Sequence, residues 1–278
     1  MKIAVCFSGT ADGIGTHHVK HGGTRDCLIS WPSIQKHVYQ DHDCDTFFHV
    51  GLYNEETERN ICTLLKPKAY IAEQQREFHE DAKWNEVNLY KHLNDNKPGN
   101  MHDSLSQLYS RSTAIKLALE SAKKENIKYD FIVTLRYELH FAKNISYESL
   151  SNDSLYWSGW NRGFSGWPGI GSAPQDLFFV GSQPIMEIVS TMYDYFNDKV
   201  IKEDYDIKYD MHRYAYKYFY DQLGLSNQAH LDRQAGDYTL VRYLGAPHIR
   251  DLRSDFDKLF KHAQNTVDVD KYLKRSQN

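Results

Sequence analysis

Arg136 and Glu138 are the charged residues whose position in the sequence most directly predicts chemistry. They follow the apolar run Phe131–Leu135, which has the length and composition of a buried strand. Burying a charged side chain costs free energy unless a partner, a metal ion or a substrate compensates the charge. Ligands of α/β proteins also bind at the ends of strands. We therefore expect a binding or catalytic site where this strand ends.

A glycine-rich segment after the first apolar run is the second candidate for ligand binding. Ser8, Gly9 and Thr10 come directly after residues 2–7, and glycines recur up to residue 23. Such a loop can bring backbone N–H groups to a phosphate, and a plain surface loop is an equally supported alternative. The segment has neither the Walker pattern nor the third glycine of the dinucleotide fingerprint, so neither of those nucleotide sites is predicted.

Alternating strand and helix patterns place both candidates at strand ends. Apolar runs predict strands at 2–7, 45–53, 68–72 and 131–138, with helices at 30–42, 55–65 and 103–124 between them. Ser30 is the expected N-cap of the first helix, with Pro32 in its first turn. Later strands are expected at 155–160, 176–181 and 238–243, and helices at 183–196 and 208–223. This order predicts an α/β fold with a largely parallel sheet flanked by helices.

Composition and charge limit the class of protein. The chain has 278 residues, of which 41% are hydrophobic, enough for one large domain. Its 33 basic and 37 acidic residues give a net charge of −4, so no overall positive field indicates a nucleic-acid-binding protein, although a local basic groove is compatible with this balance. No apolar run approaches the roughly 20 residues that span a bilayer. The chain opens without a signal sequence and its four cysteines form no CxxC pair, which favours a soluble protein of the cytoplasm.

A series of short motifs, taken in order, resembles a family of glycosyltransferases of large viruses, phages and bacteria. Each motif is weakly specific alone, and the shared order carries the resemblance across residues 2–243. The matching segments are Lys2–Gly9 (KIAVCFSG), Asp45–Val50 (DTFFHV), Gln107–Ser110 (QLYS), Tyr129–Leu139 (YDFIVTLRYEL), Asp176–Ser182 (DLFFVGS) and Leu240–Arg242 (LVR). The resemblance implies a GT-A-like nucleotide-sugar domain at 1–245, followed by a helical C-terminal extension at 246–278.

The resemblance also implies roles for individual residues. The donor nucleotide sugar, with a UDP-sugar as the first expectation, is bound by Ser8, Gly9, Thr10, Arg25, Arg136 and Glu138. Asp176 is the expected catalytic base, on the acceptor side. The expected acceptor-binding residues are Trp157, Trp160, Trp167, Asp210 and His212, with core packing as the alternative for the tryptophans and helix capping as the alternative for Asp210.

Glu138 departs from the family pattern, which has an aspartate two residues after the arginine. The usual Asp-x-Asp metal motif is replaced here by Arg136-Tyr137-Glu138. Two readings stay open: Glu138 binds Mn²⁺ or Mg²⁺ together with diphosphate oxygens and water, or Arg136 neutralises the diphosphate itself.

The function implied is sugar transfer from a nucleotide sugar to an acceptor hydroxyl, first of all on a glycan. If the protein is viral, the cytoplasm is that of the host. One alternative is transfer to hydroxymethylated bases of viral or phage DNA, whose backbone the basic tail would follow; its residues are Lys258, Lys261, Lys271, Lys274 and Arg275. The other is a non-catalytic module that binds a nucleotide sugar or a glycan.

Overall fold

The computed structural model describes residues 1–10, 27–52, 55–74, 76, 78, 101–141, 143–158, 178–196, 228–231 and 238–240. The predicted helix 208–223 and the predicted extension 246–278 lie outside these residues. None of the described helices is long and apolar enough to cross a membrane.

Nine strands are present in the described residues. They are β1 (Lys2–Thr10), β2 (Asp43–Leu52), β3 (Ala69–Gln74), β4 (Phe131–Arg136), β5 (Leu139–Phe141), β6 (Leu155–Ser158), β7 (Phe178–Gly181), β8 (Gln228–Leu231) and β9 (Tyr238–Leu240). Seven of them form one sheet in the order β3-β2-β1-β4-β7-β6-β8, and β5 pairs with β9 in a second, antiparallel ladder. Within the seven-stranded sheet only β7 runs against the others, because it is antiparallel to both β4 and β6.

Five α-helices connect and cover these strands in the described part of the chain. They are α1 (Cys27–Ile34), continued by a π-helical turn (Gln35–Tyr39), α2 (Glu55–Leu65), α3 (Met101–Glu125), α4 (Gln183–Ser190) and α5 (Met192–Tyr195). The predicted start of the first helix at Ser30 is wrong. The helix begins at Cys27, so Ser30 and Pro32 lie inside it, and the Ser30 hydroxyl donates to the Tyr137 carbonyl instead of capping.

The core has two layers, one on each face of the sheet. Side chains of neighbouring strands that share a register point to the same face. One face packs against α3 and α4 through residues such as Cys6, Phe47 and Ile132, and the other packs against α1 and α2 through residues such as Val5, Phe48 and Val133. The mostly parallel α/β sheet flanked by helices is therefore confirmed.

Ion pairs join the amino ends of β1, β2 and β3. Asp45 accepts hydrogen bonds from Lys68 Nζ at 2.8 Å and from the Tyr129 hydroxyl at 2.7 Å, and Lys2 Nζ lies 3.2 Å away. Burial alone would raise the pKa of Asp45, but these three partners outweigh it and hold that pKa below the ordinary 3.8. The charged residues at this edge therefore stabilise the association of the strands.

We expect Asp45→Asn to lower the free energy of unfolding by about 2 kcal/mol, because the variant loses hydrogen bonds to a charged group. The pKa of Asp45 is lowered in the folded state. Its contribution to the free energy of unfolding is therefore complete at a pH above its ordinary pKa and is lost as the pH falls through its pKa in the folded state. Urea unfolding at pH 7 and pH 3 measures both effects. Asp43→Asn is the control, since Asp43 contacts Lys2 with a side chain 72% exposed and should cost less than about 1 kcal/mol.

Candidate active site

Three polar residues lie side by side at the carboxyl ends of the central strands. In register, Ser8 of β1 pairs with His49 of β2 on one side and with Arg136 of β4 on the other. Residues in one register row project to the same face, and His49 contacts Ser110 of α3, so this row faces α3. The sheet thus presents a polar row where ligands of parallel α/β proteins bind.

Arg136 and Glu138 form a buried ion pair at the end of β4. Arg136 Nη2 donates to Glu138 Oε1 at 2.6 Å, with 10% and 2% of the two side chains exposed. Tyr137, between them, donates its hydroxyl to the His49 carbonyl at 3.3 Å and stacks on Phe7 at 5.5 Å between ring centroids. The turn that carries the pair is therefore anchored to β1 and β2, and each charge compensates the other.

The described residues around Glu138 do not fit a Mn²⁺ or Mg²⁺ site. These ions need several oxygen ligands, and here a single carboxylate is already bound to a guanidinium. A divalent cation at Glu138 would also meet the positive charge of Arg136. Among the described residues no group of three or more His, Cys, Asp or Glu side chains could hold a metal ion. Arg136 is thus the cationic group that this site offers to an anion.

Gly9, at the end of β1, has open space above its backbone. Its φ of +119° is strained for any residue with a Cβ, and a Cβ built at this position would meet nothing within 4 Å. The Gly9 N–H donates to Ser110 Oγ at 2.7 Å. The end of β1 therefore combines a glycine-dependent backbone with open space above it; a ligand-binding role of Ser8, Gly9 and Thr10 stays a prediction.

A hydrogen-bonded chain runs from Gly9 across the sheet edge to Glu73. His49 Nδ1 lies 2.9 Å from Ser110 Oγ, and His49 Nε2 lies 3.0 Å from Glu73 Oε1. Burial lowers the pKa of His49, against the opposing effect of Glu73, so the imidazole is neutral near pH 7. These hydrogen-bonded residues border a cleft whose lining also includes Arg76 and Tyr109. The Arg76 guanidinium lies 5.1 Å from the centroid of the Tyr109 ring.

His49, Ser110 and Glu73 were not among the site residues predicted from the sequence. A signal for two of them was present, because His49 stands in the DTFFHV motif and Ser110 closes the QLYS motif. Both motifs contribute to the family resemblance, yet their positions in the sequence do not indicate that His49 and Ser110 are in contact. Glu73 stands in a polar stretch without such a signal.

The reverse strand β7 begins beside the end of β4. Phe178, its first residue, is paired with Leu135, which directly precedes Arg136. Because β7 is antiparallel to β4, the chain enters β7 at the same edge of the sheet that carries Arg136. Asp176, the predicted base, precedes Phe178 by two residues in the sequence and lies outside the described residues.

Comparisons with known proteins give likenesses to solved structures but no relative by sequence. No protein-family model matches the chain, and no curated protein matches it. Among solved structures, the chain is similar to a glycosyltransferase involved in the glycosylation of the major capsid of PBCV-1. The sequence identity is 10%, the match covers 84% of this chain and 82% of that one, and the TM-score is 0.40. At that identity and TM-score the function has to come from the residues of the chain itself.

The remaining predicted site residues are only partly within the described part of the chain. Trp157 of β6 is 3% exposed and packs in the core layer against α3 and α4, which is the packing alternative for this residue. Thr10 ends β1 and pairs with Gly51. Five predicted residues lie outside the described ranges in addition to Asp176: Arg25, Trp160, Trp167, Asp210 and His212.

Proposed function

We propose that the chain is a glycosyltransferase that moves a sugar from a nucleotide-sugar donor to an acceptor hydroxyl, most simply on a glycan. The observation that supports this best is the arrangement at one edge of the sheet. There the open end of β1 at Gly9, the Arg136–Glu138 pair at the end of β4 and the start of β7 are neighbours. A transferase of this kind needs a diphosphate site and a base close to each other.

Arg136 is the proposed partner of the donor diphosphate. Negative charge builds up on the leaving nucleoside diphosphate during transfer, and a preorganised cation at that position lowers the barrier. A guanidinium suits the task because its planar donors match phosphate oxygens. Glu138 holds that guanidinium at 2.6 Å and fixes its orientation. Glu138 therefore acts by positioning Arg136.

Asp176 is the proposed base that takes the proton of the acceptor hydroxyl. A carboxylate placed beside the acceptor raises the nucleophilicity of its oxygen as the bond to the anomeric carbon forms. Trp160, Trp167, Asp210 and His212 are the proposed acceptor contacts, and Arg25 is the proposed second contact to the diphosphate. Closure of the site against water would protect the donor from hydrolysis.

The test is a thermal-shift panel of nucleotide sugars, in EDTA and in Mn²⁺, followed by a nucleotide-release assay on each donor that binds. We expect a UDP-sugar to raise the unfolding midpoint by mass action, and to do so equally in EDTA, since the described residues offer no metal site. Release of UDP should follow and should increase with a glycan acceptor.

The outcomes separate the competing functions. Binding without any nucleotide release would establish a non-catalytic module and refute the proposed enzyme. Release that increases only with hydroxymethylated duplex DNA, and that falls steeply with salt, would assign DNA as the acceptor. No midpoint shift with any nucleotide sugar would refute the donor class. A shift that requires Mn²⁺ would contradict a diphosphate site that is formed by arginine side chains without a metal ion.

A further inference from the structure

We infer that Glu73, His49 and Ser110 form a positioning relay that fixes the Gly9 peptide at the donor site. This inference rests on the proposed function for its catalytic meaning, whereas the relay itself rests on contacts alone. The three residues come from β3, β2 and α3, and their hydrogen bonds converge on the end of β1. None of them is needed to accept a proton from the acceptor or to contact the diphosphate in the mechanism above.

The direction of the hydrogen bonds follows from the chemistry of the partners. A neutral imidazole donates through one nitrogen and accepts through the other. Glu73 is a carboxylate and can only accept, so His49 Nε2 carries the proton. His49 Nδ1 then accepts from the Ser110 hydroxyl at 2.9 Å, which is shorter than the 3.3 Å from that hydroxyl to its other acceptor, the His49 carbonyl. Ser110 Oγ in turn accepts from the Gly9 N–H. All three bonds point toward the Glu73 carboxylate, so each polarises the next.

The same three residue types occur in serine hydrolases, but the geometry here excludes a nucleophile. Ser110 is 3% exposed and lies within α3, so little of its side chain is accessible to a substrate. That oxygen also accepts the Gly9 N–H at 2.7 Å. A hydroxyl that is buried and occupied in this way holds structure in place, and the relay is therefore assigned to positioning.

Gly9 is the position where such support is needed. The pairing of β1 with β4 ends at Ser8, opposite Arg136, so beyond Ser8 the strand is flanked by β2 alone. Gly9 then departs from strand geometry, with a φ of +119°. Its N–H is bound by a side chain, Ser110 Oγ at 2.7 Å, and this bond fixes the plane of the Ser8–Gly9 peptide.

His49 also links this peptide to the turn that carries the ion pair. The backbone carbonyl of His49 accepts the Tyr137 hydroxyl at 3.3 Å, between Arg136 and Glu138 in the sequence. His49 is thus linked to both proposed parts of the donor site, through Ser110 to Gly9 and through Tyr137 to the turn that carries the ion pair. Loss of the relay should weaken donor binding more than it slows the chemical step.

The kinetic test compares two buried serines of the same helix. Ser110→Ala and Glu73→Gln are each expected to raise the KM for the donor about tenfold while kcat changes less than about twofold. Ser112→Ala is the matched control, because Ser112 is 2% exposed and its Oγ accepts from the Tyr193 N–H, at 3.4 Å, instead of from Gly9. An equal rise of KM in both serine variants, or none in Ser110→Ala, would overturn the relay.

A second measurement needs no nucleotide and therefore separates this inference from the proposed function. Ring nitrogen NMR of wild-type His49 should show the proton on Nε2, and amide exchange at Gly9 should accelerate in Ser110→Ala and stay unchanged in Ser112→Ala. A proton on Nδ1, or unchanged exchange at Gly9 in Ser110→Ala, would refute the relay even if sugar transfer were demonstrated. The expected NMR result together with an inactive wild type would instead refute the proposed function.

Discussion

Glu138→Gln should lower the free energy of unfolding by about 3 kcal/mol and reduce sugar transfer by orders of magnitude. The substitution keeps the shape of the side chain and removes its charge, which leaves the Arg136 guanidinium buried without its counter-charge at 2.6 Å. An uncompensated buried charge is costly, and a guanidinium without a fixed partner no longer presents one orientation to a phosphate. Chemical denaturation and a nucleotide-release assay measure the two effects.

A double variant separates stability from catalysis. Replacing the pair by apolar residues, Arg136→Met with Glu138→Leu, should recover most of the lost stability, since a buried ion pair is often no more stabilising than well-packed apolar side chains. Transfer should stay lost, because the Arg136 guanidinium is no longer present at the diphosphate. A double variant that recovers both stability and transfer would remove Arg136 from the mechanism.

An exposed ion pair of similar length serves as the control. Lys116 and Asp194 are 2.7 Å apart, but 42% and 53% of their side chains are exposed. Asp194→Asn should therefore cost less than about 1 kcal/mol and leave transfer unchanged. If Asp194→Asn lowered the free energy of unfolding as much as Glu138→Gln, the distance between the charges, and not their burial, would determine the stability of these ion pairs.

Asp176→Asn should reduce kcat by about a thousandfold and leave the affinity for the donor unchanged. The amide cannot take the proton of the acceptor hydroxyl, while donor binding depends on Arg136 and the end of β1. Single-turnover rates and donor titration test the two statements separately. Asp153→Asn, which alters an exposed carboxylate in the turn before β6, is the control and should behave as wild type. Wild-type kcat in Asp176→Asn would exclude this residue as the base.

The sequence predicted the parallel half of the fold well, because its patterns are long and local. The helix at 55–65 has the predicted limits, and α3 extends the predicted helix by two residues at its start and one at its end. The start of α1 was missed because Pro32 is also tolerated inside that helix. β8 (QAHL) was missed since it has no apolar run, and its pairing with β6 depends on residues more than 70 positions away.

The site was predictable in part for a similar reason. Arg136 and Glu138 are two residues apart, so the sequence indicates that they lie near each other, but it does not indicate that they compensate each other's charge. The contact between His49 and Ser110 joins residues 61 positions apart. Likewise, an apolar run such as Phe178–Val180 has no feature that tells which way the strand runs in the sheet. Only the register between Leu135 and Phe178 shows that β7 starts at the proposed donor site.

The position of β8 has a consequence for how the chain can be shortened. β8 is the last strand of the main sheet beside β6, with Tyr156 and Trp157 of β6 paired to Ala229 and His230. A chain cut before residue 228 would keep the pairing of β6 with β7 but would leave the other edge of β6 without a neighbouring strand. Open edges of that kind recruit strands from other molecules. Shortened versions would then self-associate, although every residue of the proposed donor site would still be present.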